Sequence, residues 1–331
     1  MFIDSDLQLY SNPKMNRILA ISTKWNALKT PDGAALIDEL RDLGFDNIAL
    51  SRHLTPEQLE QIKPSFREIG HSPPSCIQNF CPILPGTSQE DADDDIIHLS
   101  SINSDERKEA VRRTIQTMEL AIEMETPIVI IRLGKVDTYD RSDLMRNLYE
   151  YGEREFEAFS NKVTEATEWR KRKETKHHDA VMRSLDELNE HALKMELSIA
   201  IENPPHYFQI PNYDEVGLLF NEFYGSPMRY WHNVGHAVFQ EKLGLCWSHE
   251  WSEAYGDHLI GVSLHDLKDL EMYHPPGSGD IEWDEIIPHI KSDVLKVIDI
   301  KHGDEEEVNQ ARELCESFEE TQEENTQSNT G

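Results

Sequence analysis

The sequence predicts an α/β fold, a (β/α)8 TIM barrel with a helical insertion between strands 4 and 5. Two observations carry that expectation. Short apolar runs alternate with segments of helical periodicity eight times along the 331 residues, the order that puts parallel strands inside and helices outside. Three successive apolar runs also end in residues suited to binding ions or substrates. Leu197-Ser198-Ile199-Ala200-Ile201 runs into Glu202-Asn203-Pro204, and the run from Pro227 to Tyr230 into Trp231-His232-Asn233-Val234-Gly235-His236. Leu259-Ile260-Gly261-Val262-Ser263-Leu264 runs into His265-Asp266. Clustered imidazole, amide and carboxylate groups at strand ends are costly unless they line a cleft or hold an ion. A barrel gathers its strand ends around one site.

The elements follow in chain order. Residues 18–22 form the first strand, and Leu36, Leu40 and Leu43 share a face of the first helix, which Gly44 stops. After a second strand at 47–50, Thr55-Pro56-Glu57-Gln58 opens a helix with a cap, a proline at the first helical position and a capping-box glutamine. The third strand, 75–80, contains Gln78-Asn79. An irregular segment, 82–101, leads to a helix striped with Val111, Ile115, Met118 and Ile122. The fourth strand, 128–131, ends in Arg132. Residues 137–195 are too long for one barrel helix and predict two or three helices outside the barrel. Their basic run Arg170-Lys171-Arg172-Lys173 and the pair His177-His178 are expected on solvated faces. The eighth strand, 295–298, ends at Asp299, and the last helix carries Val308, Ala311, Leu314 and Phe318. A polar arm, 1–14, and an acidic tail, 319–331, flank the single domain 15–318; the tail is expected to be disordered.

Composition narrows the function. A net charge of −31 opposes binding to a polyanion, so no nucleic-acid partner is expected. No apolar run reaches membrane-spanning length and no segment has the build of a secretory signal, so no membrane partner is expected and the location is cytoplasmic. Cys76, Cys81, Cys246 and Cys315 are scattered without a C-x-x-C pair, which supports neither a disulfide framework nor a zinc knuckle.

A set of ordered motifs goes further: Gln78-Asn79-Phe80-Cys81-Pro82, Leu99-Ser100-Ser101 with Arg107, Glu202-Asn203, Trp231 to His236, and His274-Pro275-Pro276-Gly277-Ser278-Gly279-Asp280. Over about residues 15–318 the chain resembles the xylose isomerase-like TIM barrels. These are sugar phosphate isomerases and epimerases, together with DNA repair enzymes of the endonuclease IV type. The resemblance implies a divalent metal held by carboxylates and a histidine at strand ends. It also implies two carboxylates that move a proton on and off a carbon next to a carbonyl. Carried onto this chain, Glu202 and Asp299 become the acid–base pair. Glu202, Asn233, His265 and Asp299 become candidate ligands for Mn²⁺, Mg²⁺, Co²⁺ or Zn²⁺. His236 and Arg132 would orient the oxygens of a small sugar-like substrate, with Trp231, His232, His274 and Asn79 as further contacts.

The chain departs from that pattern. Asn233 replaces an aspartate, Ser263 the first histidine of H-x-H-D, and Gln78 and Arg132 two further histidines. Asp299 stands for a glutamate and reaches about 1.5 Å less far, and Met272 stands for an aspartate of the repair nucleases. Three readings result. The first is a metal-dependent isomerase or epimerase of a sugar, sugar phosphate, polyol or sugar acid. The second is a catalytically altered, metal-free sugar-binding barrel. The third, an apurinic endonuclease, is disfavoured by charge and lost ligands. Structural alternatives stand beside each residue: Glu202 paired with Arg132, Asp299 with Lys301 and His302, His236 packed at a helix start, His265-Asp266 as a buried hydrogen-bonded pair. Trp25 suits a sugar face or the core equally. The size of the insertion also suggests a homo-oligomer contact.

Overall fold

The computed structural model describes residues 18–94, 96–152 and 157–328. Eight parallel strands form the barrel. They are β1 (Leu19–Ser22), β2 (Ile48–Ala49), β3 (Ile77–Gln78) and β4 (Ile128–Ile131), then β5 (Ser198–Glu202), β6 (Met228–Asn233), β7 (Leu259–Leu264) and β8 (Leu295–Ile298). Their spatial order is β2-β1-β8-β7-β6-β5-β4-β3. A parallel bridge between Leu50 and Ile77 joins β2 to β3 and closes the ring. The second and third strands are shorter than their apolar runs suggest, and the other boundaries agree within two or three residues.

Strand alternation decides what points where. Ala20, Ala49, Ile128, Ile130, Ala200, Trp231, Leu295 and Val297 pack together inside the barrel. Ile21, Val129, Ile131, Ile199, Ile201, Val262 and Ile298 pack under the helices. Continuing the same alternation by one step aims Arg132, Glu202, Asn233, His265 and Asp299 inward at the C-terminal rim. Gly261 is demanded by this interior: a Cβ there would stand 2.2 Å from the Trp231 ring.

The helices form as their signals predict, with local differences. α1 (Gly33–Asp42) is capped by Asp32, and α2 (Pro56–Ile62) has the Thr55/Gln58 capping box. α3 (Ser104–Glu123) buries Val111 and Met118, but its buried face is centred on Thr114, Thr117 and Ala121. That rotation leaves Ile122, expected in the apolar stripe, exposed. Residues 137–195 yield α4 (Ser142–Glu150), α5 (Glu157–Lys171) and α6 (Glu174–Met195). α6 packs on α3 and leads into β5, so it is the barrel helix, and α4 with α5 is the true addition.

Two expectations about this insertion are corrected in part: Lys171, Arg172 and Lys173 are exposed as expected, but Arg170 and His177 are not. Arg170 is buried and donates to Glu215 Oε2 at 2.7 Å, Glu174 Oε2 at 2.9 Å and the Gln209 carbonyl at 3.0 Å. His177 is also buried: its Nδ1 donates to the Ser100 carbonyl at 2.9 Å and its Nε2 accepts from the Asp137 amide at 3.1 Å. Both face the barrel loops rather than water, which a charge count along the chain does not reveal.

The rest of the outer layer is α7 (Tyr213–Glu222), α8 (Val234–Lys242), α9 (Ser248–Tyr255), α10 (Trp283–Ile286) and α11 (Glu305–Ser328). α11 buries Val308, Ala311, Cys315 and Phe318. Its span runs to Ser328. The arm 1–14 and residues 329–331 lie outside the described residues. Among the described residues no helix is long and apolar enough to cross a membrane, and no disulfide joins any of the four cysteines.

Candidate active site at the barrel mouth

Four of the rim residues form one continuous network. Glu202 Oε2 accepts from Arg132 Nε at 2.8 Å, and its Oε1 accepts from Asn233 Nδ2 at 3.0 Å. Asn233 Oδ1 accepts from His265 Nε2 at 2.9 Å and from the His236 amide at 3.0 Å. Asp299 lies in the same buried centre, with Oδ2 2.7 Å from Lys24 Nζ. Helix α8 starts directly beneath: a Cβ on Gly235 would stand 1.9 Å from His265 Cε1, so the glycine is what lets this ring fit.

Tyr273 covers the centre. Its hydroxyl accepts from Arg132 at 3.3 Å and lies 3.0 Å from His236 Nε2, while the Lys24 ammonium sits 3.9 Å above its ring. The Asn203 carbonyl, 2.9 Å from His236 Nδ1, requires a proton on that nitrogen. His236 Nε2 is therefore the acceptor, and the Tyr273 hydroxyl donates to it. The Tyr273 amide donates in turn to His265 Nδ1 at 3.1 Å, which leaves the His265 proton on Nε2, facing Asn233. Asp93, from the irregular segment, completes the cover. Its carbonyl accepts from Arg132 at 3.1 Å, and its carboxylate lies 3.7 Å from Lys24 and 3.5 Å from His53 and pairs with Lys301.

Electrostatics follow from this pairing. Burial pushes the Glu202 carboxyl up, but Arg132, the Asn233 amide and Arg52 bring it below its ordinary range. Burial likewise opposes the charged form of Asp299, and Lys24 outweighs it. Asp93 is held well down against its burial by Lys24, His53 and Arg132. Burial lowers His265 to about 4 and His232 to about 3. Burial, aided by Arg132 and His265, takes His236 well below its usual value. The centre thus holds ionised carboxylates, fixed cations and neutral imidazoles.

The donor set of a divalent ion is not open here. Both Glu202 oxygens, the Asn233 oxygen and both His265 nitrogens are engaged in hydrogen bonds. Of the four expected ligands only Asp299 retains an unpartnered buried oxygen, Oδ1. Lys24 and Arg132 already supply positive charge at the two carboxylates. The four residues converge, yet as arranged they do not fit a metal ion. Among the described residues one group brings three ligand atoms within 4.8 Å of one another, Glu271, His274 and His302, and it lies at the rim outside this network.

Several expected contacts lie elsewhere. Trp231 fills the barrel interior and donates to Ser263 Oγ at 2.9 Å. His232, next along the strand, faces the opposite way and meets the Tyr230 hydroxyl at 2.9 Å. Asn79 donates to Thr114 Oγ1 at 2.9 Å and ties β3 to α3. Asp266 is structural: its carboxylate accepts from the amides of Leu267, Gly277 and Ile281 and from the Trp283 indole. Trp25 is buried, with its indole donating to the Gly303 carbonyl at 3.1 Å. Sequence reasoning missed Lys24, Tyr273 and Asp93. Only Lys24 left a trace, as a cation two residues beyond the first strand.

The chain belongs to the family described as xylose isomerase-like TIM barrel, whose match spans residues 37–320. Solved structures share the fold. An L-ribulose 3-epimerase superposes with a TM-score of 0.66 at 15% identity, covering 96% of this chain and 99% of its own. A D-tagatose 3-epimerase-like protein gives 0.62 at 16%, covering 93% and 99%. A 3-keto-D-glucoside 4-epimerase from E. coli gives 0.61 at 13%, covering 90% and 98%. A search of curated proteins finds no match.

Proposed function

We propose that the protein is an isomerase or epimerase of a small sugar, polyol or sugar acid, acting by proton transfer next to a carbonyl. The observation that carries this reading is the pair of buried carboxylates, Glu202 and Asp299, each held by a cation at the mouth of the barrel. One carboxylate removes a proton from the carbon beside the carbonyl and the other returns it. Lys24 and Arg132 stabilise the ene-diolate oxygens between those steps. Sugar chemistry is further supported by Asp299 Oδ1 and Gln78 Oε1, buried acceptors without a hydrogen-bond partner, which suit hydroxyl donors. The Tyr273 hydroxyl lies between Arg132 and His236 as a substrate oxygen would, so binding requires Tyr273 to yield its place. The divalent ion expected at Glu202, Asn233, His265 and Asp299 has no part in this proposal.

A second reading, a sugar-binding barrel without turnover, is favoured by the 2.7 Å pairing of Asp299 with Lys24, which occupies a would-be base. Incubation with a panel of ketoses in heavy water separates the two. Metal-free wild-type protein is expected to incorporate deuterium next to the carbonyl. E202Q and D299N should each lower that rate about 10²–10⁴-fold. A ketose that raises the melting temperature without any exchange would establish the binding barrel instead.

A further inference from the structure

We propose that Glu271, His274 and His302 form a divalent transition-metal site at the rim, of the Zn²⁺ class, that straps the Tyr273 hairpin to the segment following β8. Residues Glu271–His274 form one strand of an antiparallel hairpin with Asp266–Lys268. Regular alternation would put positions 271 and 274 on opposite faces. The left-handed backbone at Tyr273, φ 70°, breaks that alternation. Tyr273 turns into the barrel, and Glu271 and His274 come to the same side. His302 is brought to them by the backbone, because the amides of Lys301 and His302 both donate to the Tyr273 carbonyl, at 2.9 and 3.2 Å.

The distances suit an ion. A tetrahedral metal with bonds of about 2.0–2.1 Å places its ligand atoms about 3.3–3.4 Å apart. His274 Nε2 lies 3.1 Å and His302 Nε2 lies 3.7 Å from the Glu271 oxygens, and all three ligand atoms fall within 4.8 Å. The two imidazoles stack with centroids 4.4 Å apart and planes 20° from parallel, so holding one ion requires one ring to rotate out of the stack until both nitrogens face the same point. Two imidazoles and one carboxylate leave a fourth position for water, a donor set that suits Zn²⁺ or Co²⁺ better than Mg²⁺. Lys29, Lys268 and Lys301 stand nearby and moderate the affinity. An ion there fixes two segments that both reach the centre, one through Tyr273 and the other through Lys301 and its pairing with Asp93.

The test is a Co²⁺ titration of the full-length, chelator-treated protein with any affinity tag removed, followed by visible absorption. One equivalent should bind with a tetrahedral spectrum. H274A and H302A should each weaken binding about tenfold or more, and E202Q should leave it unchanged. Zn²⁺ should raise the melting temperature of the wild type and not of the two histidine variants. Absence of saturable binding at millimolar metal would overturn the proposal. So would binding that survives H274A and H302A but is lost in E202Q, which would put the ion at the barrel centre. None of these readouts depends on the sugar reading.

Discussion

Lys24 and Asp299 meet at 2.7 Å with both side chains wholly buried. Removing one partner of such a pair leaves an uncompensated charge in a medium that solvates it poorly. K24M is therefore expected to cost about 3–5 kcal/mol of stability, and D299N added to it should restore much of the loss. Urea unfolding of the single and double variants checks this directly. The carboxylate half of the pair was legible, because a polar residue that ends an apolar strand falls at a barrel rim. Lys24 was hidden because it follows the strand through a short turn, where lysine is commonplace. Tyr273 was hidden for another reason. Its direction depends on left-handed backbone at Asp269, Leu270 and Tyr273 itself, none of them the glycine that would announce such a turn.

At the scale of elements, helix α8 bears most directly on the centre. Its first turn approaches His265 so closely that a methyl group at position 235 has no room. G235A should therefore push the His265 ring off Asn233 and cost about 1–3 kcal/mol, through overpacking rather than backbone strain. A fall in melting temperature, together with a shifted His265 imidazole resonance in NMR, would show it. Helix existence and the capping box of α2 were readable from local pattern, as was the order of the eight strands. The buried face of α3 was not, because threonines line it and hydrophobic periodicity overlooks them. Arg170 is a similar case: a guanidinium inside a basic run looks solvated until α7 supplies Glu215 beneath it.

The molecule as a whole should be acid-sensitive in a definite direction. His232, His236 and His265 are held neutral in the fold, at about 3, well below the usual value and about 4, but take up protons near pH 6.5 when unfolded. Between those limits the unfolded chain binds more protons, so stability is complete above about pH 6.5 and falls below it. The loss is about 1.4 kcal/mol per pH unit for each ring. Glu202, Asp299 and Asp93, all held below their ordinary values, add a further loss as pH falls below about 4. Melting temperatures at pH 7.5, 6.0 and 5.0 should decline throughout, and a flat profile would contradict the neutral buried imidazoles. The barrel, its family and the convergence of four strand ends were all legible in the sequence. How the gathered charges are balanced was not, since that depends on side chains from a turn, a hairpin and an irregular segment.

Trp231 has a consequence for traffic. With its indole and the surrounding aliphatic side chains stopping the bore, the barrel is a cup rather than a pipe. On the proposed function, a substrate of Glu202 and Asp299 would come and go by one doorway, the rim where Tyr273 stands. Arrival of the next molecule and departure of the last would then share a threshold and not overlap in time.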